Sequence, residues 1–264
     1  MADPLDLTGR VALITGGASG IGNGAAWAFA GKGARLGLMD QPGERLQKAA
    51  AELRDKGHEV EELPADVSEV SDVQGGIEQL VARFGRLDIV FANAGVNGVW
   101  APIEELTPEE FDKTIAINLR GTFLTIKYAV PYLKRQGGSV LVTSSVNGTR
   151  IFSNTGATAY STSKAGQVAI VKMLAVELGQ LGIRVNAICP GAISTNIGQN
   201  TEARHTEDIK IPVEYPEGTI PLPGVESGST DQVGRLALFL ASDMADHING
   251  EVVYIDGGQS LVQG

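Results

Sequence analysis

Short apolar runs alternate along the chain with longer stretches whose apolar residues recur at helical spacing. The short runs are continuously apolar, which is typical of strands in a parallel sheet covered on both faces. Strands are predicted near Val11–Thr15, Arg35–Asp40, Val60–Ala65, Ile89–Ala92, Ser139–Thr143, Arg184–Ile188 and Val252–Ile255. Helices are predicted near residues 20–32, 43–56, 69–84, 108–135, 158–180 and 230–241. The fold class is therefore α/β, a doubly wound, predominantly parallel seven-stranded sheet with helices on both faces.

One segment, residues 193–229, breaks this alternation. It has few periodic apolar residues and four of the eleven prolines of the chain. These prolines are Pro212, Pro216, Pro221 and Pro223. A loop of this length in a compact domain is usually functional or disordered. We therefore expect one domain over residues 1–264, with the segment 193–229 folding over a substrate site as a lid.

The predicted helix over 158–180 is apolar on more than one face. Its only charged residues are Lys164, Lys172 and Glu177. One apolar face can pack on the sheet, and the other needs a second partner. The pattern therefore favours a homo-oligomer.

Charge and cysteine content exclude several classes of function. The formal net charge is −10, and an acidic surface repels nucleic acid. No apolar run approaches the roughly 20 residues of a membrane helix, and the N-terminus lacks the basic region of a signal peptide. Cys189 is the only cysteine, and His58, His205 and His247 lie far apart, so neither a disulfide framework nor a metal site is expected. We expect a cytoplasmic protein.

The first predicted strand leads into a glycine-rich turn that reads TGGASGIG over residues 15–22. Gly16, Gly20 and Gly22 allow a tight turn and close backbone approach, and the following helix presents free N–H groups to a pyrophosphate. The spacing differs from the G-x-G-x-x-G fingerprint, so a purely structural turn is the alternative.

Asp40 ends the second predicted strand, twenty residues after Gly20. A carboxylate at this place accepts hydrogen bonds from the adenosine ribose of NAD and repels the 2′-phosphate of NADP. No arginine or lysine adjoins Asp40 in the sequence, although Arg45 is near enough in the next helix to reach a phosphate. The pattern favours NAD as cofactor, and an ordinary acidic loop residue is the alternative.

Polar residues also follow the third and fourth predicted strands. Asp66 and Val67 come after one, and Asn93, Ala94 and Gly95 after the other. Each group alone is typical of a turn. Together they lie where ligands of open α/β sheets bind, at the carboxyl ends of the strands.

Tyr160 and Lys164 lie at positions i and i+4 of a predicted helix and therefore share one face. A phenol is a poor base at neutral pH, and a nearby ammonium should lower its pKa. Tyr160 is therefore a candidate proton acceptor or donor. The spacing also recurs by chance in helices.

In combination these motifs resemble the short-chain dehydrogenase/reductase family. The resemblance rests on TGxxxGIG at 15–22, NAG at 93–95, Ser144–Ser145 at a strand end and YxxxK at 160–164, and it extends from about Leu7 to Gly258. It implies a Rossmann-type fold and an oxidoreductase that acts on a secondary alcohol or ketone with a nicotinamide cofactor, for which Asp40 favours NAD. It also implies a homotetramer, or a homodimer, with helices 108–135 and 158–180 in one interface.

The resemblance implies four catalytic residues. Asn118 matches an asparagine that holds a water linked to the lysine, Tyr160 the general acid/base, and Lys164 the residue that binds the nicotinamide ribose. Ser145 matches the serine that bonds the substrate oxygen, because Ser145 begins a serine-x-x-glycine turn, and Ser144 is the competing candidate. The Ser145-to-Tyr160 interval is about two residues longer than this branch of the family usually has.

The resemblance also assigns the cofactor contacts. Ser19 and Ile21 would hold the phosphates, Asp40 the ribose, and Asp66 and Val67 the adenine. The remaining predicted contacts are Asn93 and Gly95 in the crevice, and Pro190, Gly191, Ile193 and Thr195 near the nicotinamide.

The substrate is left open between sugars, polyols and cyclic or aromatic ketones. Candidate substrate contacts are Asn97, Trp100, Asn147, Ile151, Phe152 and Tyr215. Three other functions compete: an NAD-binding sensor or scaffold without turnover, a 3-oxoacyl-type ketone reductase, and epimerisation or dehydration with bound NAD. The complete set of four catalytic residues argues against the first, the acidic surface with Asp40 against the second, and the lack of room for a separate substrate domain against the third.

Overall fold

The structure is a computed structural model that describes residues 3–210, 220–222 and 226–263. Its strands are β1 (Val11–Thr15), β2 (Arg35–Asp40), β3 (Val60–Pro64), β4 (Ile89–Ala92), β5 (Gly98–Trp100), β6 (Gly138–Thr143), β7 (Ile183–Pro190), β8 (Thr201–Ala203) and β9 (Val252–Ile255). Its α-helices are α1 (Gly20–Ala30), α2 (Glu44–Asp55), α3 (Val70–Phe84), α4 (Pro108–Ile115), α5 (Gly121–Leu133), α6 (Thr158–Gly179), α7 (Thr230–Ala241) and α8 (Gln259–Gln263).

Seven of these strands form one parallel sheet, in the order β3-β2-β1-β4-β6-β7-β9. This confirms the predicted Rossmann-type sheet. The direction of the chain through the sheet reverses between β1 and β4, and such a switch point opens a crevice at the carboxyl ends of the strands.

Two apolar cores cover the two faces of the sheet. Alternate residues of a strand point to opposite faces, so Ala12 and Ile14 pack into one core and Val11 and Leu13 into the other. Helices α1, α2 and α7 close the first core, and α3, α5 and α6 close the second. The continuous apolar runs of the sequence therefore reflect burial on both sides.

The predicted helix over 108–135 is interrupted. Helix α4 starts at a capping box of Thr107 and Glu110, and a π-helical turn over Ala116–Arg120 separates it from α5. At the π turn the carbonyl of Asn118 accepts from two side chains. Thr122 Oγ1 donates to it at 2.7 Å and Gln167 Nε2 at 2.8 Å. Such turns are frequent at functional sites.

A second, two-stranded sheet was not predicted. Strand β5 pairs in parallel with β8, so part of the segment 193–229 is regular and is joined to the loop after β4. Residues 196–200 and 206–209 of the same segment form 3₁₀ turns. Strand β7 is also longer than predicted, and helix α8 was not predicted.

Candidate active site

A cleft of about 980 Å³ opens along the carboxyl ends of the strands. Most of the predicted cofactor contacts line it: Gly16, Ser19, Gly20, Ile21, Asp40, Asp66, Val67, Asn93, Gly95, Tyr160, Lys164, Pro190, Gly191, Ile193 and Thr195. Ser145 also lines it, whereas Gly22 and Asn118 do not. One end of the cleft holds Asp40 and Asp66, and the other holds Tyr160 with Trp100.

The glycine-rich turn forms a cradle at the start of α1. Gly16 and Gly20 have φ of +64° and +53°, which favours glycine. A Cβ on Gly16 would lie 3.0 Å from the Ala94 backbone, so a side chain there would close the space. Ser19 is the N-cap of α1 and makes no capping hydrogen bond, so its hydroxyl remains available. The turn therefore suits a pyrophosphate at a helix N-terminus.

Gly22 has a packing role, and its predicted contact with a cofactor stays a prediction. A Cβ at this residue would clash with the carbonyl oxygen of Gly16 and lie 2.7 Å from Asn93 Nδ2. Gly22 therefore lets α1 approach the strands behind the turn. Asn93 joins the same strands, since its Nδ2 donates to Thr15 O at 3.1 Å and its Oδ1 accepts from Thr143 Oγ1 at 2.9 Å.

The Asp40 carboxylate faces the cleft but is already partly bonded. Its Oδ2 accepts from the Ala18 N–H at 3.0 Å, and its Oδ1 accepts from the Gln41 N–H at 2.9 Å. A carboxylate has about four acceptor sites, so two remain for a ribose. Arg45 Nη2 lies 3.6 Å from Asp40 Oδ1 and also lines the cleft. The fold thus brings a cation to a carboxylate that has no basic neighbour in sequence.

Asp66 is held in a turn at the mouth of the cleft. Its Oδ1 accepts from the backbone and the hydroxyl of Ser68, at 2.8 and 2.7 Å. Burial alone would raise the pKa of Asp66, but these hydrogen bonds outweigh it and the pKa lies below its ordinary value. The carboxylate therefore stays ionised and acts as an acceptor.

Tyr160 and Lys164 lie together on α6, as the sequence predicted. The Lys164 Nζ is 5.5 Å from the centre of the Tyr160 ring and donates to the Thr143 carbonyl at 2.8 Å. Both side chains are buried, with 8% of Tyr160 and 3% of Lys164 exposed. The two groups thus meet in a largely desolvated pocket.

The electrostatics of this pair differ from the expectation that the ammonium would lower the pKa of the phenol. Burial raises the pKa of Tyr160, and contact with the Ser145 hydroxyl opposes this only in part. Burial lowers the pKa of Lys164 to about 8. Desolvation of both charged forms dominates because both side chains are buried.

Asn118 lies behind the cleft and fixes the loop that lines it. Its Oδ1 accepts from the Val96 N–H at 2.8 Å, and its Nδ2 donates to the Val96 carbonyl at 2.9 Å and to Ser163 Oγ at 3.0 Å. A Cβ on Gly95 would lie 3.2 Å from Asn118 Oδ1 and 3.5 Å from Lys164 Nζ. The glycine therefore keeps the amide and the amine near each other.

The two serines after β6 differ in their bonding. Ser144 Oγ donates to the Lys164 carbonyl at 2.8 Å, so its proton is engaged in structure. Ser145 Oγ accepts from the Asn147 N–H at 3.1 Å, and its hydroxyl contacts the Tyr160 phenol at the cleft. This difference favours Ser145 for a contact with a substrate oxygen.

Four of the predicted substrate contacts line the cleft: Asn97, Trp100, Asn147 and Ile151. Trp100 lies beside Tyr160, with 6.5 Å between ring centres. Phe152 was wrongly predicted, since 73% of it is exposed and it does not line the cleft. It follows the inward-facing Ile151 in a loop and faces solvent. Tyr215 lies outside the described residues.

Several residues that shape the site carried no sequence signal. Gln167 braces the π turn, and Gln259 Oε1 accepts from the Ala192 N–H at 2.8 Å beside Gly191. Arg204 binds both carboxylate oxygens of Glu110, at 3.1 and 2.9 Å. These contacts span long sequence separations, so no local spacing reveals them.

Across residues 3–210, 220–222 and 226–263, no three or more histidine, cysteine or acidic side chains are grouped as metal ligands. Over the same residues, every helix is too short or too polar to cross a bilayer.

The sequence pattern of the family described as enoyl-(acyl carrier protein) reductase matches residues 16–260. The chain is 40% identical over 257 residues to the levodione reductase of Leifsonia aquatica, an alignment covering 96% of this chain and 95% of that protein. It is 36% identical over 256 residues to the D-threitol dehydrogenase of Mycolicibacterium smegmatis, covering 97% and 94%.

Solved structures show the same arrangement. A crystal structure described as a 3-ketoacyl-ACP reductase from Sinorhizobium meliloti superposes with a TM-score of 0.92 and 52% identity, over 96% of this chain and 99% of that one. The likeness therefore includes the sheet, the helices and nearly the whole of the described chain.

Proposed function

Because the chain belongs to the short-chain dehydrogenase/reductase family, we propose that it is an NAD-dependent oxidoreductase that moves a hydride between the nicotinamide and a secondary alcohol or ketone. One observation carries the proposal: Tyr160, Lys164 and Ser145 meet in the cleft whose other end begins at the glycine-rich turn. Proximity of two reactants in such a cleft accelerates their reaction.

The residues of the cleft fit a dinucleotide. Its wall includes the open cradle at Gly16, the Ser19 hydroxyl and the unused acceptor sites of Asp40. The proposed contacts are those named above for the phosphates, the ribose, the adenine and the nicotinamide. When bound, the dinucleotide supplies the acceptor or donor of the hydride.

The side chains handle the proton and the oxygen. In oxidation, the Tyr160 oxygen takes the proton of the substrate hydroxyl while the carbinol carbon of the substrate gives up its hydride to the nicotinamide. The Ser145 hydroxyl donates a hydrogen bond to the substrate oxygen. Burial opposes the phenolate form that Tyr160 needs in this direction, and the positive charge of protonated Lys164, together with that of an oxidised nicotinamide, is proposed to offset it. Asn118 holds the loop at Val96 and is proposed to lead the proton onward through a water. Reduction reverses each step.

NAD is proposed over NADP. The support is Asp40, whose free acceptor sites suit ribose hydroxyls and whose charge repels a 2′-phosphate. Arg45 works against this preference because its guanidinium lies near Asp40 and would attract a phosphate. The carboxylate is the more buried partner, so its charge is less screened by solvent than that of the exposed arginine.

A 3-oxoacyl-type ketone reductase is the second candidate, supported by the description of the Sinorhizobium meliloti structure. An acyl carrier protein is an acidic partner, whereas this chain has a net charge of −10, and Glu110 and Glu202 line the cleft. Like charges across such an interface oppose association. A small-molecule substrate is therefore the preferred proposal.

We propose that the enzyme works in the cytoplasm as a homotetramer or homodimer. Cys189 is buried and unpaired among the described residues, which suits a reducing compartment. Exposed apolar residues on α6 support self-association.

The substitution Tyr160→Phe tests the catalytic proposal. It removes the proton-transferring oxygen and keeps the ring, so turnover should fall by about 10²–10⁴-fold while NAD affinity changes little. Turnover is followed by the near-ultraviolet absorbance of reduced nicotinamide over a panel of alcohols and ketones, and affinity by a fluorescence titration. Tyr132→Phe on α5 is the matched control and should behave as the parent protein.

The same panel separates the rival functions. NAD binding without turnover of any substrate would favour a sensor or scaffold. Turnover of Tyr160→Phe at the parent rate would contradict the assigned role of Tyr160.

A further inference from the structure

The end of the cleft around Tyr160, here called the substrate end, is rich in neutral amides. The loops after β4, β6 and β7 converge there. They contribute five asparagines: Asn97, Asn147, Asn154, Asn196 and Asn200. An amide offers an acceptor and two donors without a formal charge. Such a wall is suited to groups that both donate and accept hydrogen bonds.

The hydrogen bonds among these side chains leave complementary groups free. Asn154 Nδ2 donates to Asn147 Oδ1 at 2.7 Å, and Asn97 Nδ2 donates to Thr201 Oγ1 at 2.7 Å. Within the described part of the chain, Asn147 Nδ2 has no acceptor, and Asn97 Oδ1 and Asn154 Oδ1 have no donor. The substrate end therefore presents a donor and two acceptors, which matches a row of hydroxyls.

Among the described residues, two of the three cationic side chains that line the cleft have partners. Arg45 lies 3.6 Å from an Asp40 oxygen, and Lys164 is bonded to the Thr143 carbonyl. The third, Lys113, lines the cleft together with Glu110 and Glu202. The sequence over 211–219 and 223–225 contains no lysine or arginine. A carboxylate or phosphate on the substrate would meet Glu110 and Glu202 as well as Lys113, so the charges of the cleft do not favour an anionic substrate.

Trp100 supplies apolar surface among the amides. Its indole Nε1 donates to the Asn97 carbonyl at 3.3 Å, and its ring is tilted by 39° to that of Tyr160. The indole N–H is therefore satisfied, and the ring is left to pack against carbon. Ile151 adds to this surface from the opposite loop.

We propose that the substrate is an uncharged polyhydroxylated molecule, an open-chain polyol or a sugar. Its reacting carbinol lies at Tyr160, its neighbouring hydroxyls bond Asn147, Asn97 and Asn154, and its carbon chain packs on Trp100. This inference rests on the proposed oxidoreductase function and adds the class of substrate.

Substrates matched in carbon number test the inference. Tetritols, pentitols and hexitols are compared with 2-alkanols of the same length, with cyclohexanol and with acetoacetyl-CoA in the reducing direction, each with both cofactors. A site built to bond hydroxyls rejects analogues that lack them. We expect kcat/KM for the best polyol to exceed that for its matched alkanol by at least about 100-fold.

Variants connect the selectivity to the amides. Asn147→Leu keeps a similar volume and removes the donor, so kcat/KM for the best polyol should fall about tenfold to a hundredfold, chiefly through KM. Asn154→Leu is the second variant, because its exposed side chain can be replaced without loss of folding. Phe152→Leu is the control in the same loop, outside the cleft, and should keep the parent kinetics.

The outcomes separate the two proposals. Equal or better use of alkanols, cyclohexanol or the thioester would overturn the polyol inference and leave the oxidoreductase function standing. Unchanged polyol kinetics in both asparagine variants would also overturn it. Absence of turnover with every substrate and both cofactors would overturn the oxidoreductase function, and the substrate class with it.

Discussion

At the scale of single residues, Asp40 is a carboxylate with competing neighbours. It bonds two backbone N–H groups, keeps acceptor sites toward the cleft and has Arg45 close by. The preference between NAD and NADP is therefore proposed to depend on whether the adenosine ribose lies nearer to the Asp40 carboxylate or to the Arg45 guanidinium.

Replacing Asp40 with Ala should shift this choice. Loss of the acceptors should cost about 1.5–3 kcal/mol of NAD binding, about tenfold to a hundredfold, and removal of the charge should improve NADP. The measurement is kcat/KM with each cofactor. Arg45→Ala is the opposite control and should weaken NADP further. An unaltered ratio of the two cofactors in Asp40→Ala would remove Asp40 from the ribose site.

The sequence predicted some of these residues better than others. Tyr160 and Lys164 were placed correctly because helical spacing alone puts them on one face. Their pKa values were not predictable, since burial outweighs the effect of one charge on the other and burial depends on the whole fold. Phe152 was misplaced because a loop of irregular geometry gives no rule for which side chain turns inward.

At the scale of elements, the β5–β8 pair connects the segment 193–229 to the loop after β4. Arg204 follows β8 and binds Glu110 on α4, and its Nη2 also donates to the Glu105 carbonyl at 2.8 Å. The hydrogen bond from Arg204 lowers the pKa of Glu110 to about 2. The ion pair therefore persists at higher pH and is lost only as pH falls through that value.

Arg204→Ala should weaken the attachment of the segment 193–229 to α4 while leaving Tyr160, Lys164 and Ser145 in place. We expect KM for the substrate to rise about twofold to fivefold, as for loss of an exposed ion pair, while NAD affinity stays the same. Steady-state kinetics and the rate of proteolysis within 193–229 are the two readouts. Arg235→Ala removes an exposed pair with Asp231 and serves as the control. Equal KM and equal proteolysis in the two variants would argue against this role.

Short elements were beyond prediction for a physical reason. β5 and β8 have three residues each and pair across about a hundred residues of sequence, so neither has an apolar period. The π turn at Asn118 likewise depends on Gln167, a residue of another helix. The seven long strands were predicted because burial on both faces leaves a continuous apolar run.

At the scale of the molecule, α6 has one face in the core and another in solvent. Val171, Ala175 and Leu178 are buried, whereas Met173 and Val176 are more than two-thirds exposed. Apolar surface of this kind is typical of an interface between subunits. The predicted homo-oligomer, the single domain and the lid over 193–229 all stay predictions.

Val176→Arg should weaken self-association through this face. A buried, unpaired charge is costly at an interface, so we expect a smaller assembly by light scattering after size-exclusion chromatography. Gln47→Arg on the exposed side of α2 adds the same charge elsewhere and should keep the parent mass. Identical masses for all three proteins would exclude α6 from the interface.

The β5–β8 pair, which lines the cleft beside the proposed substrate, is a different element from the helix that carries Tyr160. Its ladder is made by backbone groups, so side chains along it can change while the register is kept, except at Gly98, whose φ of +68° favours glycine. Tyr160, whose phenol is proposed to transfer the proton, belongs instead to the long helix α6, which packs in the core. We therefore expect proteins with this scaffold to differ in the substrates they accept through changes in β5 and β8, while α6 and its tyrosine are kept.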